Sequence, residues 1–206
     1  MYMLRFWMVV FGAWVVMPVM ANDCLQYKLK PRIDINIPDW VKEVVQPRKP
    51  MDLWHGNVVA TFVDNYDVVA DVKNVNNGFC IVLKNVNALI GYDNFRVSID
   101  IRHDVDSCAY NAILKHEDKH IDTYLSVVND FKSNLHQVIY DAADSVMPMF
   151  IKSRDDVDMA IEKINNQLQN YPDLILIKQK IKAEEEIRNK RIDRYEDGTD
   201  LIKCFE

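Results

Sequence analysis

Residues 106–128 read DSCAYNAILKHEDKHIDTYLSVV, and the character of the chain turns on this stretch. Asp106-Ser107 offers the side-chain oxygens that cap a helix N-terminus. Beyond them, apolar residues recur at Ile113, Tyr124, Val127 or Val128, Phe131, Leu135 and Val138 or Ile139. That is the period of an amphipathic helix. Pro148 cannot continue it, so one long helix is expected over about 108–147.

On the N-terminal side of this stretch the period is two. Leu25, Tyr27 and Leu29 alternate with polar residues, as do Ile33, Ile35 and Ile37. Further β-rich runs are Val58–Val63, Tyr66–Val72, Phe79–Leu89 and Phe95–Ile101. Asn65 separates the first two of these, Asn76-Asn77-Gly78 is a tight-turn signal, and Gly91-Tyr92-Asp93-Asn94 reads as another turn. These connections predict an antiparallel meander. Residues 38–50 are expected to be a loop with a short helical turn around Trp40–Val45.

C-terminal to the long helix, a second helix is expected from Arg154 or Asp155, with Met159, Ile161, Ile164 and Leu168 on its apolar side. Pro172 interrupts it. A third helix is expected from Asp173 to Tyr195, stopped by Asp197-Gly198. The mixed charges of KQKIKAEEEIRNKRIDR suit a solvated face with pairing one turn apart. The fold class is therefore α+β: an antiparallel sheet, a long helix and C-terminal helices antiparallel to it. Residues 22–150 would hold the sheet and the long helix, and 151–206 a helical extension packed on that helix.

Composition narrows the function classes. The chain has 206 residues, 49% of them hydrophobic, with a formal net charge of -6. An acidic balance gives no general attraction to nucleic acid or to anionic membrane. One basic residue, Arg5, precedes the apolar run FWMVVFGAWVVMPVM (6–20), which ends in Ala21 before Asn22-Asp23. This is the layout of a signal peptide spanning 1–21, so an exported, periplasmic or extracellular protein is expected, free of the membrane once the leader is cleaved. Removing it takes away Arg5 alone among the charges, leaving 24 basic against 31 acidic residues. Four cysteines remain: Cys24, Cys80, Cys108 and Cys204. An even count in an oxidising compartment favours two disulfides.

The chemistry lies in His116-Glu117-Asp118-Lys119-His120, an HExxH motif. Residues four apart on a helix project from one side, so both imidazoles can bind one Zn2+. Glu117 is placed to take a proton from a water activated by that metal and pass it to a leaving amine. Two core histidines bonded to nearby carboxylates would share the spacing. The glutamate between the pair, and its place on the apolar azimuth of a helix, favour the metal.

The leader, the β-rich half with Gly78-Phe79-Cys80 and an alternating strand, and the HExxH helix together resemble the bacterial family of predicted secreted zinc-dependent proteases. The resemblance covers about residues 56–150. It implies a zincin-like fold, zinc ligands at His116 and His120, a catalytic base at Glu117, and a peptide or protein substrate.

The third ligand has no motif. Thr123 and Ser126 stand where a metzincin would place Gly and His, and Tyr140 and Asp141 where a thermolysin-like enzyme would place Glu. His136 and Asp122 lie about 160° around the helix from His120. If the later helices return antiparallel with a reversal near residue 150, facing residue numbers sum to about 300. Glu184, Glu185 or Glu186 then faces the motif, with Glu162, His103, Asp104 and Asp106 as alternatives. The same ruler favours the bridges Cys108–Cys204 and Cys24–Cys80. His55 reads as a surface histidine, and Tyr124 is a possible oxyanion stabiliser one turn beyond His120. Against the peptidase stands a second reading, an exported envelope protein whose sheet and helical hairpin bind a partner, with a structural metal or none.

Overall fold

The computed structural model describes residues 24–51, 55–196 and 203–204. The expected leader, residues 1–21, and Trp54 lie outside them. After a 3₁₀ turn at Leu25–Tyr27 come strands β1 (Arg32–Asn36), β2 (Val41–Val45), β3 (Gly56–Val75) and β4 (Gly78–Ile99). The helix α1 (Cys108–Ser145) follows, then a short strand β5 (Met149–Ile151) and helices α2 (Val157–Gln169) and α3 (Pro172–Glu196). The fold is α+β, one sheet with three helices.

The sheet departs from the expected meander. β3 and β4 form one long antiparallel hairpin, turned at Asn76-Asn77 with Asn77 in the left-handed conformation. Asn65 and Gly91–Asn94 are not turns. Each strand runs through them, and β-bulges between Thr61 and Phe62 and between Val69 and Ala70 absorb the irregularity, leaving Asp93 and Lys84 on β4 as the extra residues. The second edge of β4 is shared by three segments in succession: β5 antiparallel, then β1 and β2 parallel. The sheet is therefore mixed, not antiparallel. Arg32 lies opposite Asn85 and Val41 opposite Asn94, a single offset, so β1 and β2 are one edge strand interrupted at 37–40.

Pro38, which has no N–H to donate, sits in that interruption. Gly91 adopts φ 151°, and a Cβ there would come within 2.9 Å of Pro38. The expected helical turn over Trp40–Val45 is instead β2, paired along β4, with Trp40 just before it edge-on to Phe95 at a centroid distance of 5.5 Å.

Helix α1 begins at Ser107, whose hydroxyl accepts from the Tyr110 N–H. It lies across one face of the sheet. At one end Ile113, Ile121 and Val128 pack on Tyr92, Phe95, Val97 and Ile99. Toward the other, Val127, Leu135 and Ile139 share a cluster with Ile81, Val86 and Ile90 of β4, Ile164 and Leu168 of α2, and Leu174, Ile177 and Ile181 of α3. Each such side chain contributes about 1.5–3 kcal/mol by leaving water. Helices α2 and α3 are thus built into the core, α2 through Ile164 and Leu168 of its expected stripe, whereas Met159, expected on the same side, is exposed. Two disulfides fasten the ends: Cys24–Cys80 and Cys108–Cys204. Among the described residues, no helix is long and apolar enough to cross a membrane.

Candidate metal centre

Helix α3 runs back along α1, and the two helices bring three ligand-type side chains to one point. His116 and His120 project from α1 one turn apart, their Nε2 atoms separated by 3.2 Å. Asp193, from the last turns of α3, places Oδ1 3.1 Å from His120 Nε2 and 3.5 Å from His116 Nε2. His120 is buried, His116 partly so, and Asp193 half exposed. Zinc bound at 2.0–2.2 Å to nitrogen and oxygen in a tetrahedron needs donors about 3.3 Å apart. All three separations lie near that value. The donor set, two imidazoles and one carboxylate, also suits Zn2+ and leaves one tetrahedral position for a water or a substrate. The residues therefore fit the group.

The ring of His120 is held from its other side, with Nδ1 3.0 Å from Asn189 Oδ1. A ligating histidine ordinarily has such an acceptor behind it. Glu185, Asn189 and Asp193 are four residues apart in succession, so they form a polar stripe on the face of α3 turned to α1.

Glu117 points differently. It is 5% exposed and faces the start of β3, where a Cβ on Gly56 would lie 2.6 Å from its Oε1. Only glycine leaves room there for the carboxylate. Burial, with Asp193 and Asp118 nearby and His120 opposing, pushes its pKa up to about 7. Asp118, beside it, reaches across to Lys42 of β2 at 2.8 Å. A buried carboxyl group next to two imidazoles and a carboxylate is a general-acid or general-base arrangement by its chemistry.

The glutamates expected to supply the third ligand lie elsewhere. Glu184 bonds Arg188 at 2.8 Å, and Arg188 bonds Asp130 at 2.8 Å. Glu186 pairs with Lys190. Glu185 is buried, and burial raises its pKa. Helix α3 does return along α1 as expected, but in another register. His116 faces Asp193 and His120 faces Asn189, so facing numbers sum to 309. The reversal passes through β5, α2 and the break at Pro172, which shifts the return by about two and a half helical turns from the expected register. The spacing Glu185-Asn189-Asp193 was the signal that could have found the centre.

Tyr124 stacks among Tyr92 and Phe95, with centroids 5.0 and 6.1 Å away. His55 is not solitary: its Nδ1 is 2.9 Å from Nε2 of the buried His103, whose pKa burial pushes down. Asp104, Asp106, Asp122, His136 and Glu162 are exposed. Among the described residues His116, His120 and Asp193 form the one group of three metal-ligand side chains.

Comparison with protein-family models, curated proteins and solved structures finds no match.

Proposed function

We propose that this protein is an exported, zinc-dependent hydrolase that cleaves peptide bonds. The observation that carries the reading is the triangle of His116, His120 and Asp193, whose donor separations suit a tetrahedral metal. A zinc ion supplies polarisation of a carbonyl and a lowered pKa for an attacking water. The chain itself supplies the rest. His120 is oriented by Asn189. Glu117, buried beside the ligands, takes a proton from the water as its oxygen bonds to the carbonyl carbon, and delivers that proton to the nitrogen as the C–N bond breaks. Gly56 keeps the strand backbone clear of that carboxylate.

The peptide substrate follows from the resemblance of the HExxH helix and the strand before it to secreted zinc-dependent proteases. Export follows from the apolar leader and is in keeping with two disulfides. The test is zinc uptake followed by cleavage of a complex peptide mixture, read by mass spectrometry. Wild-type protein should cleave, and Glu117→Gln should keep the zinc and lose cleavage, because an amide takes no proton. Cleavage by Glu117→Gln at the wild-type rate excludes Glu117 as the base. Bound zinc with no cleavage of any peptide favours a non-catalytic metal protein.

A further inference from the structure

We infer that His55 and His103 form an acid-released clasp that holds the start of β3 against Glu117, so that the candidate centre is assembled at neutral pH and loosened in mild acid. The inference rests on the proposed role of Glu117 only for its consequence in activity.

His55 is the last residue before β3, and His103 lies in the turn between β4 and α1. His55 Nδ1 is 2.9 Å from His103 Nε2, with the rings tilted at 55°. His55 is exposed, whereas His103 is only 9% exposed. One ring of such a pair supplies an N–H and the other a lone pair. The bond therefore survives with no added proton or with one. With two, both facing nitrogens carry hydrogens, no lone pair remains, and two positive rings oppose each other. The clasp then opens.

The surroundings resist that second proton. The charged groups bearing on His103 are His55 from the strand side and Asp100 and Arg102 from its own turn. Burial pushes its pKa down, His55 and Arg102 add to this, and Asp100 opposes. A closed-state pKa below the ordinary imidazole value of about 6.5 gives stability that is complete above that value and lost as pH falls toward the lower one. Asp100 stays ionised throughout, since its own pKa lies well below the usual carboxylate range. It accepts from Arg102 and from the Met51 N–H, each at 2.7 Å, and so keeps Met51 fastened. Release is therefore confined to His55 and the strand start behind it.

Gly56 follows His55 directly. A Cβ there would collide with Ile113 and lie 2.6 Å from Glu117 Oε1, so this backbone is a wall of the space that holds the carboxylate. The His55 carbonyl accepts from the Asp100 N–H at 2.8 Å, which ties the strand start to the end of β4. Displacing His55 loosens that tie and moves the wall.

The test is amide exchange by NMR in metal-free protein at about pH 7.5 and about pH 5, either side of the ordinary imidazole value, corrected for the intrinsic effect of pH. In wild type the Asp100 amide should lose protection several-fold at the lower pH. His55→Asn, whose amide stands where Nδ1 does and can bond either form of His103, should keep that protection at both. His103→Gln, whose amide stands where Nε2 does, should do the same, and it decides where His55→Asn fails to fold. Protection unchanged by pH in wild type overturns the inference. So does an acid loss that persists in the variant, since groups other than the pair then cause it. Wild-type protein that takes up no zinc overturns the metal reading instead, and exchange in the metal-free chain still decides the clasp.

Discussion

Helices α1 and α3 face each other along their length, yet the two ends of that seam are made of different materials. At one end Leu135 and Ile139 of α1 share a closed apolar cluster with Leu174, Ile177 and Ile181 of α3. At the other, His116 and His120 meet Asn189 and Asp193. The apolar end is held by area removed from water, which does not depend on which atom meets which. The polar end is held by directed contacts, and each costs stability if it is left unmade. A protein needing only a helical hairpin would extend the first kind of packing. Retaining the second, with His120 buried and His116 partly so, is what makes this end the candidate site.

The sharpest way to break this contrast is to empty the polar end. Replacing both His116 and His120 by Ala should abolish stoichiometric zinc uptake, measured by elemental analysis, while circular dichroism keeps the wild-type helix content. Zinc retained in the double variant would remove the site altogether. The mirror experiment is Leu135→Ala, at a fully buried position. It should cost about 2–5 kcal/mol in denaturant unfolding and leave the zinc affinity of the folded protein unchanged. A loss of affinity there would mean that the two ends are one cooperative unit.

Next comes the bridge Cys108–Cys204, whose cysteines are 96 residues apart in sequence. Replacing both by Ser should cost about 2–5 kcal/mol in the thermal or denaturant transition. It ties the chain beyond α3 to the first turn of α1, so the last turns of α3, which carry Asp193, should exchange their amide hydrogens faster. Equal exchange in the variant would show that packing alone holds Asp193 in place.

The smallest effect concerns pH. Asp100 is fully buried at the end of β4, where Arg102 and the Met51 and Arg102 backbone N–H groups hold its pKa well below the usual carboxylate range. A depressed folded-state pKa gives stability that is complete above the unfolded value of about 4 and is lost as pH falls through the lower folded value. Asp100→Asn should therefore flatten the decline in melting temperature below about pH 4. A decline as steep as in wild type would assign the acid sensitivity to other carboxylates.

Legibility divides along the same line as the two ends of the seam. The helices, the capping serine and the apolar stripes could be read because each is a local period, as in Ile164 and Leu168 one turn apart. The pair His116 and His120 was legible for the same reason. Asp193 was not, since its place depends on how many residues the chain spends in β5, α2 and the Pro172 break, a sum of local errors. Strands failed where the sequence offers polar residues inside a continuous ladder. Asn65, Asp93 and Asn94 look like turns, but Asn65 takes an exposed position within β3, and the bulge at Asp93 keeps Phe95, Val97 and Ile99 facing inward. The parallel pairing of β1 and β2 had no local mark at all.

That composite edge sets an order of events during synthesis. β1 and β2 leave the ribosome first, but the ladder they join belongs to β4, with Asn85 opposite Arg32 and Ser98 opposite Val45. Until the second half of the hairpin exists, the first fifty residues have no template, and Cys24 has no partner because Cys80 is unmade. The β1–β2 segment is therefore a latecomer to the fold despite being made before β4, and it adds along the β4 edge. Hydrogen-exchange labelling of stalled chains should find the amides of 32–45 open until residue 98 has emerged. Protection of those amides in a chain ending before β4 would show that the segment folds on some other template.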